Sequence, residues 1–285
     1  MRFDINKIAV ILTCAAIFAA TVYGIMRPFK FSIDSNLSKF SLDIFSTHPV
    51  ILEEAENYDA SLSDSYWLNS GARTYIYGTS SIQTIFGDLE KGSKWQLAYM
   101  ASNPVDTENG FHPQNLFRLF TKDAYGDGTY QTYFKITKTI LSQSPNRNES
   151  NGVLIMLHAK DNDNLYYAGL RVDGTAVIKK KIAGQYMTLG EVPVFAFAKY
   201  SKDSNPNLLP VNAWLGVQVK IKNLPHDQED IALSIDIGDS GVWVPVIHTI
   251  DIPQNGMPTL PLPAHAGLRT DFMEVEMKDF MVTSL

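Results

Sequence analysis

The residues best suited to chemistry lie in the run "LYYAGLRVDGTAVIKKK" (165–181), two short alternating stretches joined at Asp173-Gly174. Side chains in a strand point alternately to the two faces, so parity sorts them. If Tyr166, Ala168, Leu170 and Val172 face the core, then Tyr167, Gly169 and Arg171 face outward. In the partner stretch Ala176, Ile178 and Lys180 face inward, and Val177, Lys179 and Lys181 outward. Lys180 is expected at a strand end, its stem over apolar atoms and its ammonium in water. Tyr133 and Lys135, from "TYQTYFKITK" (129–138), are expected to extend the outward row of Tyr167, Arg171, Lys179 and Lys181. Aromatic faces stack on sugar rings and Arg pairs with carboxylates through two parallel hydrogen bonds, a combination that suits an acidic polysaccharide. The other reading of the same row is a solvated face whose lysines keep strand edges from pairing.

A second polar group, His112, Gln114, Asn115 and Arg118, sits in "GFHPQNLFRLFT" (110–121). It reads either as a loop that binds hydroxyls at a groove's edge or as ties holding that loop to the fold. Arg269 and Asp271 of "GLRTD" read as an ion pair. Asp161 and Asp163 in "DNDN", together with "DAYGDGTY" (123–130), offer the oxygen ligands calcium prefers, without an EF-hand pattern. Turn chemistry explains the same residues. "GDSG" (238–241) lies between two strands and is accompanied by no matching histidine motif or cysteines, so it does not carry serine-protease chemistry.

The elements that must position these residues are strands. The chain of 285 residues is 45% hydrophobic, and beyond Tyr66 short alternating runs are separated by turn signals, the pattern of an all-β sandwich. "GVLIMLHAK" (152–160) is apolar throughout, as in a strand covered on both faces. Asp173-Gly174 predicts a hairpin. Further strands are expected at 214–221, 231–238, 242–250 and in the closing "MEVEMKDFMVTS", with Pro245 marking an edge or a bulge. Residues 28–65 read as a polar stalk or linker, and 66–285 as one domain. The net charge of −6 excludes a general nucleic-acid binder, which carries a basic face.

Residues 8–26, "IAVILTCAAIFAATVYGIM", form an uncharged run long enough to span a bilayer. With residues 1–27 as a signal anchor or transmembrane helix, the expectation is a membrane-anchored domain outside the cytoplasm, at the cell surface. The single cysteine, Cys14, lies in that run, so the exported part rests on its core rather than on disulfides. Asn36 and Asn148 head N-x-S sequons.

The order of an early "WLNSGA", the pair "NGVLIMLHAKDNDNLYYAGLRVDG", a W-x-x-V-x-V-K-I strand, an I-x-L-x-I-D-I strand and the ending "AGLRTDFMEVEMKDFMV" resembles the concanavalin A-like lectin/glucanase jelly roll, which includes laminin-G-like modules. The resemblance runs from about Trp67 to the C-terminus. It implies two curved antiparallel sheets, one presenting a groove to carbohydrate, a last strand returning beside the first, and frequent structural calcium. The glucanases of this group carry E-x-D-x-E or E-x-D-x-x-E on one strand. Here Glu274 and Glu276 have the two-residue spacing without the middle aspartate, which speaks against a retaining glycosidase. Jelly-roll polysaccharide lyases neutralise a uronate carboxylate and move protons with His and Tyr. By resemblance, His158 with Tyr133 or Tyr167 would supply those roles and Arg171 the neutralising cation. Three functions follow as expectations: a glycan-binding protein, a uronate lyase, and an adhesion or structural protein that contacts other proteins.

Overall fold

The computed structural model describes residues 49–285 apart from 79, 196, 255–256 and 261. The apolar run 8–26, Cys14 and Asn36 lie outside the described residues. Among the described residues, no helix is long and apolar enough to cross a membrane.

Among the described residues, fifteen strands build two antiparallel sheets. The eight-stranded sheet runs, edge to edge, β1 (Val50–Glu53), β3 (Arg73–Tyr77), β4 (Ser81–Gln83), β15 (Met273–Ser284), β6 (Gly128–Thr139), β11 (Trp214–Leu224), β12 (Gln228–Ile237) and β13 (Val244–Asp251). The seven-stranded sheet runs β10 (Gln185–Pro193), β9 (Thr175–Ile182), β8 (Asn164–Arg171), β7 (Gly152–Asp161), β14 (Ala264–Asp271), β5 (Leu116–Tyr125) and β2 (Tyr66–Ser70). One α-helix, α1 (Lys94–Ser102), lies in the β4–β5 connection. Stacked in this way, the sheets form the two-sheet antiparallel jelly-roll sandwich that the resemblance implies.

Period-two patterning places the core. Tyr130, Phe134 and Ile136 of β6, Leu215, Val217, Val219 and Ile221 of β11, and Ile231, Leu233 and Ile235 of β12 meet Val153, Ile155 and Leu157 of β7, Ala168 and Leu170 of β8, and Ala176 and Ile178 of β9. Each fully buried Leu, Ile or Phe side chain contributes roughly 1.5–3 kcal/mol before chain entropy is charged against it. β7 is apolar on both faces because its outward residues, Leu154 and Met156, lie in a second cluster with Trp67, Phe120, Leu165, Tyr167 and Val177. Tyr58 and Ala55 close over that cluster, and the Trp67 indole Nε1 donates to the Ala55 carbonyl at 2.8 Å. One end of the seven-stranded sheet's outer face is thereby roofed, and the rest is left open.

The segment 28–65, read as a stalk from its polar composition, contains structured parts. Val50–Glu53 pair with Arg73–Ile76 as an edge strand, and residues 54–58 form part of the roof over Trp67. Such a short strand has too few residues to show a period. The last strand does not sit beside the first. β15 pairs with β4 and β6 inside the eight-stranded sheet, while β14 lies between β7 and β5 in the other. Pro245 falls on β13, an edge strand with a register shift opposite Leu233/Ser234, where a missing N–H costs no ladder bond.

Candidate functional site

The β8–β9 hairpin turns through Val172–Gly174. The Gly174 N–H donates to the Arg171 carbonyl at 2.9 Å, and Gly174 takes φ 81, which a glycine adopts without strain. The next turn is a two-residue loop, Ala183 (φ 47) and Gly184 (φ 82), both left-handed as a type I′ hairpin requires. These turns set Tyr167 opposite Lys179, Lys179 opposite Thr188, and Lys181 opposite Tyr186.

On that outer face lies a groove of about 650 Å³. Its floor carries Arg118 of β5, Arg269 of β14, Tyr167 of β8 and Lys179 of β9. Tyr186 of β10 stands at one side, and Asn146, Asn148 and Asn151 of the β6–β7 connection form an amide wall. Arg269 is held on several sides. Its Nε donates to both oxygens of Asp271 at 3.0 and 3.1 Å, its guanidinium stacks 5.0 Å from the Tyr167 ring centroid, and its Nη1 is 3.5 Å from the Tyr186 hydroxyl. The Tyr167 and Tyr186 rings stack at 6.1 Å. Arg118 and Lys179 are different: neither has a hydrogen-bond or ion-pair partner among the described residues. Burial, with Arg171 and Arg269 nearby, pushes the Lys179 ammonium below its ordinary value. The Tyr186 phenol is pushed up by burial, but Arg269, its hydrogen bond, Lys181 and Arg118 outweigh this and hold it below the usual phenol value.

Of the residues singled out in the sequence, Tyr167, Lys179 and Arg118 meet in this groove. Lys181 borders it, bonded to the Asn162 carbonyl at 2.9 Å and to Asp163 at 2.7 Å, with its ammonium 5.2 Å from the Tyr186 ring. Arg171 has the parity of Tyr167, but its guanidinium is engaged by Asp173 at 2.5 Å, Glu191 at 3.3 Å and the Glu149 carbonyl at 3.2 Å. Tyr133 and Lys135 do not extend the row, because β6 belongs to the opposite sheet. There Tyr133 donates to Asp236 at 2.9 Å and packs on Trp243, while Lys135 pairs with Glu276 and lies over Trp214.

His158 lies between the sheets, 1% exposed with φ 46, beside Tyr166 and Glu229. His158, Tyr133 and Arg171 thus occupy the interior and the two opposite outer faces, so the proposed catalytic convergence does not form. His112 bridges Asp88 (2.8 Å) and Glu108 (2.9 Å), Gln114 donates to the Gly87 carbonyl, and Asn115 donates to the Asp106 carbonyl. These three are loop ties. Asp161 accepts from the Asp163 backbone N–H and from the Asn164 amide, which is turn chemistry, and Asp163 is taken by Lys181. Among the described residues no group of three or more His, Cys, Asp or Glu side chains is placed to hold a metal ion. In "GDSG", Ser240 and the Gly241 N–H serve as bonds to Asp236.

Lys180 departs most from expectation. Its inward parity is right, but its ammonium does not reach water. With 0% of the side chain exposed, Nζ lies 2.8 Å from each oxygen of Asp251 and 3.1 Å from the Met257 carbonyl, and Tyr166 donates to Asp251 at 2.6 Å. The strand end lies under β13, which supplies a carboxylate across the gap between the sheets. The sequence reading missed Tyr186 and Arg269 as groove residues. Counting parity through the Ala183-Gly184 turn would have reached Tyr186, but Ala is a poor signature for a left-handed turn position.

No family model matches the chain, and no curated protein matches it. Solved structures to which it is similar include the carbohydrate binding module CBM66 from Bacillus subtilis (14% identity, TM-score 0.40, covering 59% of this chain and 82% of that one). The beta-glucanase of Bacillus licheniformis (8%, 0.39, covering 84% and 99%) and the PL-14 alginate lyase from Aplysia kurodai (8%, 0.35, covering 84% and 100%) are similar to it at the same level.

Proposed function

We propose that the protein binds an acidic polysaccharide in the groove on the seven-stranded sheet. The observation that carries this reading is a pair of cations without a partner among the described residues, Arg118 and Lys179, on the floor of a groove where Arg269 is paired with Asp271. A surface that served only for solvation would spread such charges or pair them. Here they converge beside Tyr167 and Tyr186, rings able to stack on sugar faces, and opposite amides able to bond hydroxyls. The apolar run 8–26 supports presentation of this groove outside a membrane on an N-terminal anchor.

The test is retention of uronate, sulfated and neutral polysaccharides by the detergent-solubilised full chain over a range of salt. Acidic polymers are retained in a salt-sensitive way and neutral ones are not. Equal retention of neutral polymers, or none of any, overturns the reading.

A second reading, a uronate lyase, is favoured by one observation: the Tyr186 phenol lies among Arg269, Lys181 and Arg118, which favour its ionised form. In such a reaction the Tyr186 oxygen takes the proton beside a carboxylate neutralised by Arg118, the carbon–carbon double bond forms as the glycosidic carbon–oxygen bond breaks, and the proton is returned to the leaving oxygen. Growth of ultraviolet absorbance from unsaturated product, lost in Tyr186→Phe while binding persists, is the expected result. Binding with no absorbance change in the parent protein overturns it.

A further inference from the structure

Lys180 and Asp251 join the two sheets at β9 and β13, 71 positions apart in sequence, and both side chains are fully buried. The ammonium nitrogen lies 2.8 Å from each carboxylate oxygen, so the carboxyl carbon between them is its near neighbour. Both groups are stripped of hydration, and the closeness of the nitrogen to both oxygens allows a proton to pass from one to the other within the pair. Tyr166 donates to Oδ2 of Asp251 and draws electron density from the carboxyl carbon.

A third group completes the arrangement. Glu229 is the register partner of Asp251 across β12 and β13, is 1% exposed, and has no hydrogen-bond partner for its Oε2. Burial, with Asp127 and Asp251 adding to it, pushes the Glu229 carboxyl up to about 8, so near neutrality it is an uncharged acid beside the pair. The described residues contain no cysteine, so no disulfide ties these sheets together.

We propose that Lys180 and Asp251 condense to an amide that covalently joins the two sheets, with Glu229 carrying the proton. The Lys180 nitrogen attacks the Asp251 carboxyl carbon and the nitrogen–carbon bond forms. Glu229 gives its proton to the departing oxygen and recovers one from the attacking nitrogen. The carbon–oxygen bond breaks, and one water leaves. An ammonium and a carboxylate become an amide and water, so charge and atoms balance with no oxidant, activating group or cofactor.

The experiment is peptide mapping by mass spectrometry of the purified full chain, with an intact-mass measurement beside it. The expected result is a branched peptide joining the segments that contain Lys180 and Asp251, lighter than their sum by one water. Glu229→Gln returns both linear peptides in a protein that keeps its β-sheet circular dichroism, and it melts at a lower temperature than the parent. Recovery of Lys180 and Asp251 in separate linear peptides from the folded parent protein overturns the proposal. So does a branched peptide of equal yield in Glu229→Gln, as regards Glu229. Glycan binding plays no part in the measurement, so its outcome is independent of the groove.

Discussion

Arg118 of β5 and Arg269 of β14 stand directly opposite one another in the antiparallel ladder, two guanidinium groups in register. Like charges in that relation destabilise a sheet. Asp271 compensates only one of them, since it is bound through Nε of Arg269. The arrangement is costly to the fold and becomes favourable once an anion lies between the two strands.

Replacing Arg118 or Lys179 by Ala is therefore expected to weaken binding of a uronate polymer about tenfold or more, given roughly 1.5–3 kcal/mol for a hydrogen bond to a charged group. Both variants should be no less stable than the parent, because a repulsion has been removed. Affinity gels at stepped salt, with urea denaturation alongside, check both parts.

Tyr133→Phe and Lys135→Ala provide the contrast. These residues face away from the groove on the other sheet, so polymer affinity should not change. Gly216→Ala probes the same face. A Cβ there would lie 2.8 Å from Tyr133 Cε1 and 2.9 Å from the Trp243 ring, so a loss of about 1–3 kcal/mol in stability is expected with affinity retained. Denaturation curves and the same affinity gels separate the two effects.

Lys180→Met leaves Asp251 buried with no cation. Where the two side chains have not condensed, breaking the buried pair in this way costs about 3–5 kcal/mol and removing both charges in Lys180→Met/Asp251→Leu restores much of the loss, whereas loss of an amide link is restored in neither variant. A double-mutant cycle in urea measures the difference.

Stability should depend on pH through the two groups beside that pair. Burial drops the His158 imidazole to about 4 from an ordinary 6.5, against the opposing pull of Asp127 and the Gly126 backbone. The unfolded chain then binds the extra proton, and this contribution is lost as pH falls from 6.5 toward 4. Glu229 is raised from 4.5 to about 8, so the folded protein binds the extra proton and stability is lost as pH rises from 4.5 toward 8. The slopes oppose each other up to 6.5, above which only the Glu229 loss remains. Denaturation across pH 5 to 8.5 should show a decline above about 6.5 that is flattened in Glu229→Gln.

Strand parity made much of this legible. Tyr167, Lys179 and Lys181 reach one face, and Ile178 and Lys180 the other, because alternation is a local property of the chain. Which strand lies beside which is not local. Tyr133 was misplaced because nothing in β6 marks it for the other sheet, and Arg118 meets Arg269 only through a pairing that spans about half the chain. Lys180 was misread for the same reason: its partner, Asp251, lies on a strand of the opposite sheet. Arg171 shows a further limit, since Asp173, two residues away, claims a guanidinium that parity alone assigns to the outer face.

The placement of β14 and β15 bears on how the domain is made. Residues 264–284 supply an interior strand to each sheet, so during synthesis neither ladder is continuous until those residues have left the ribosome. A chain stopped before Ala264 would present β5, β7, β4 and β6 as raw edges, the templates on which aggregation begins. Closure of both ladders therefore waits for residues 264–284, and folding of the sandwich is gated by the last two strands to be made.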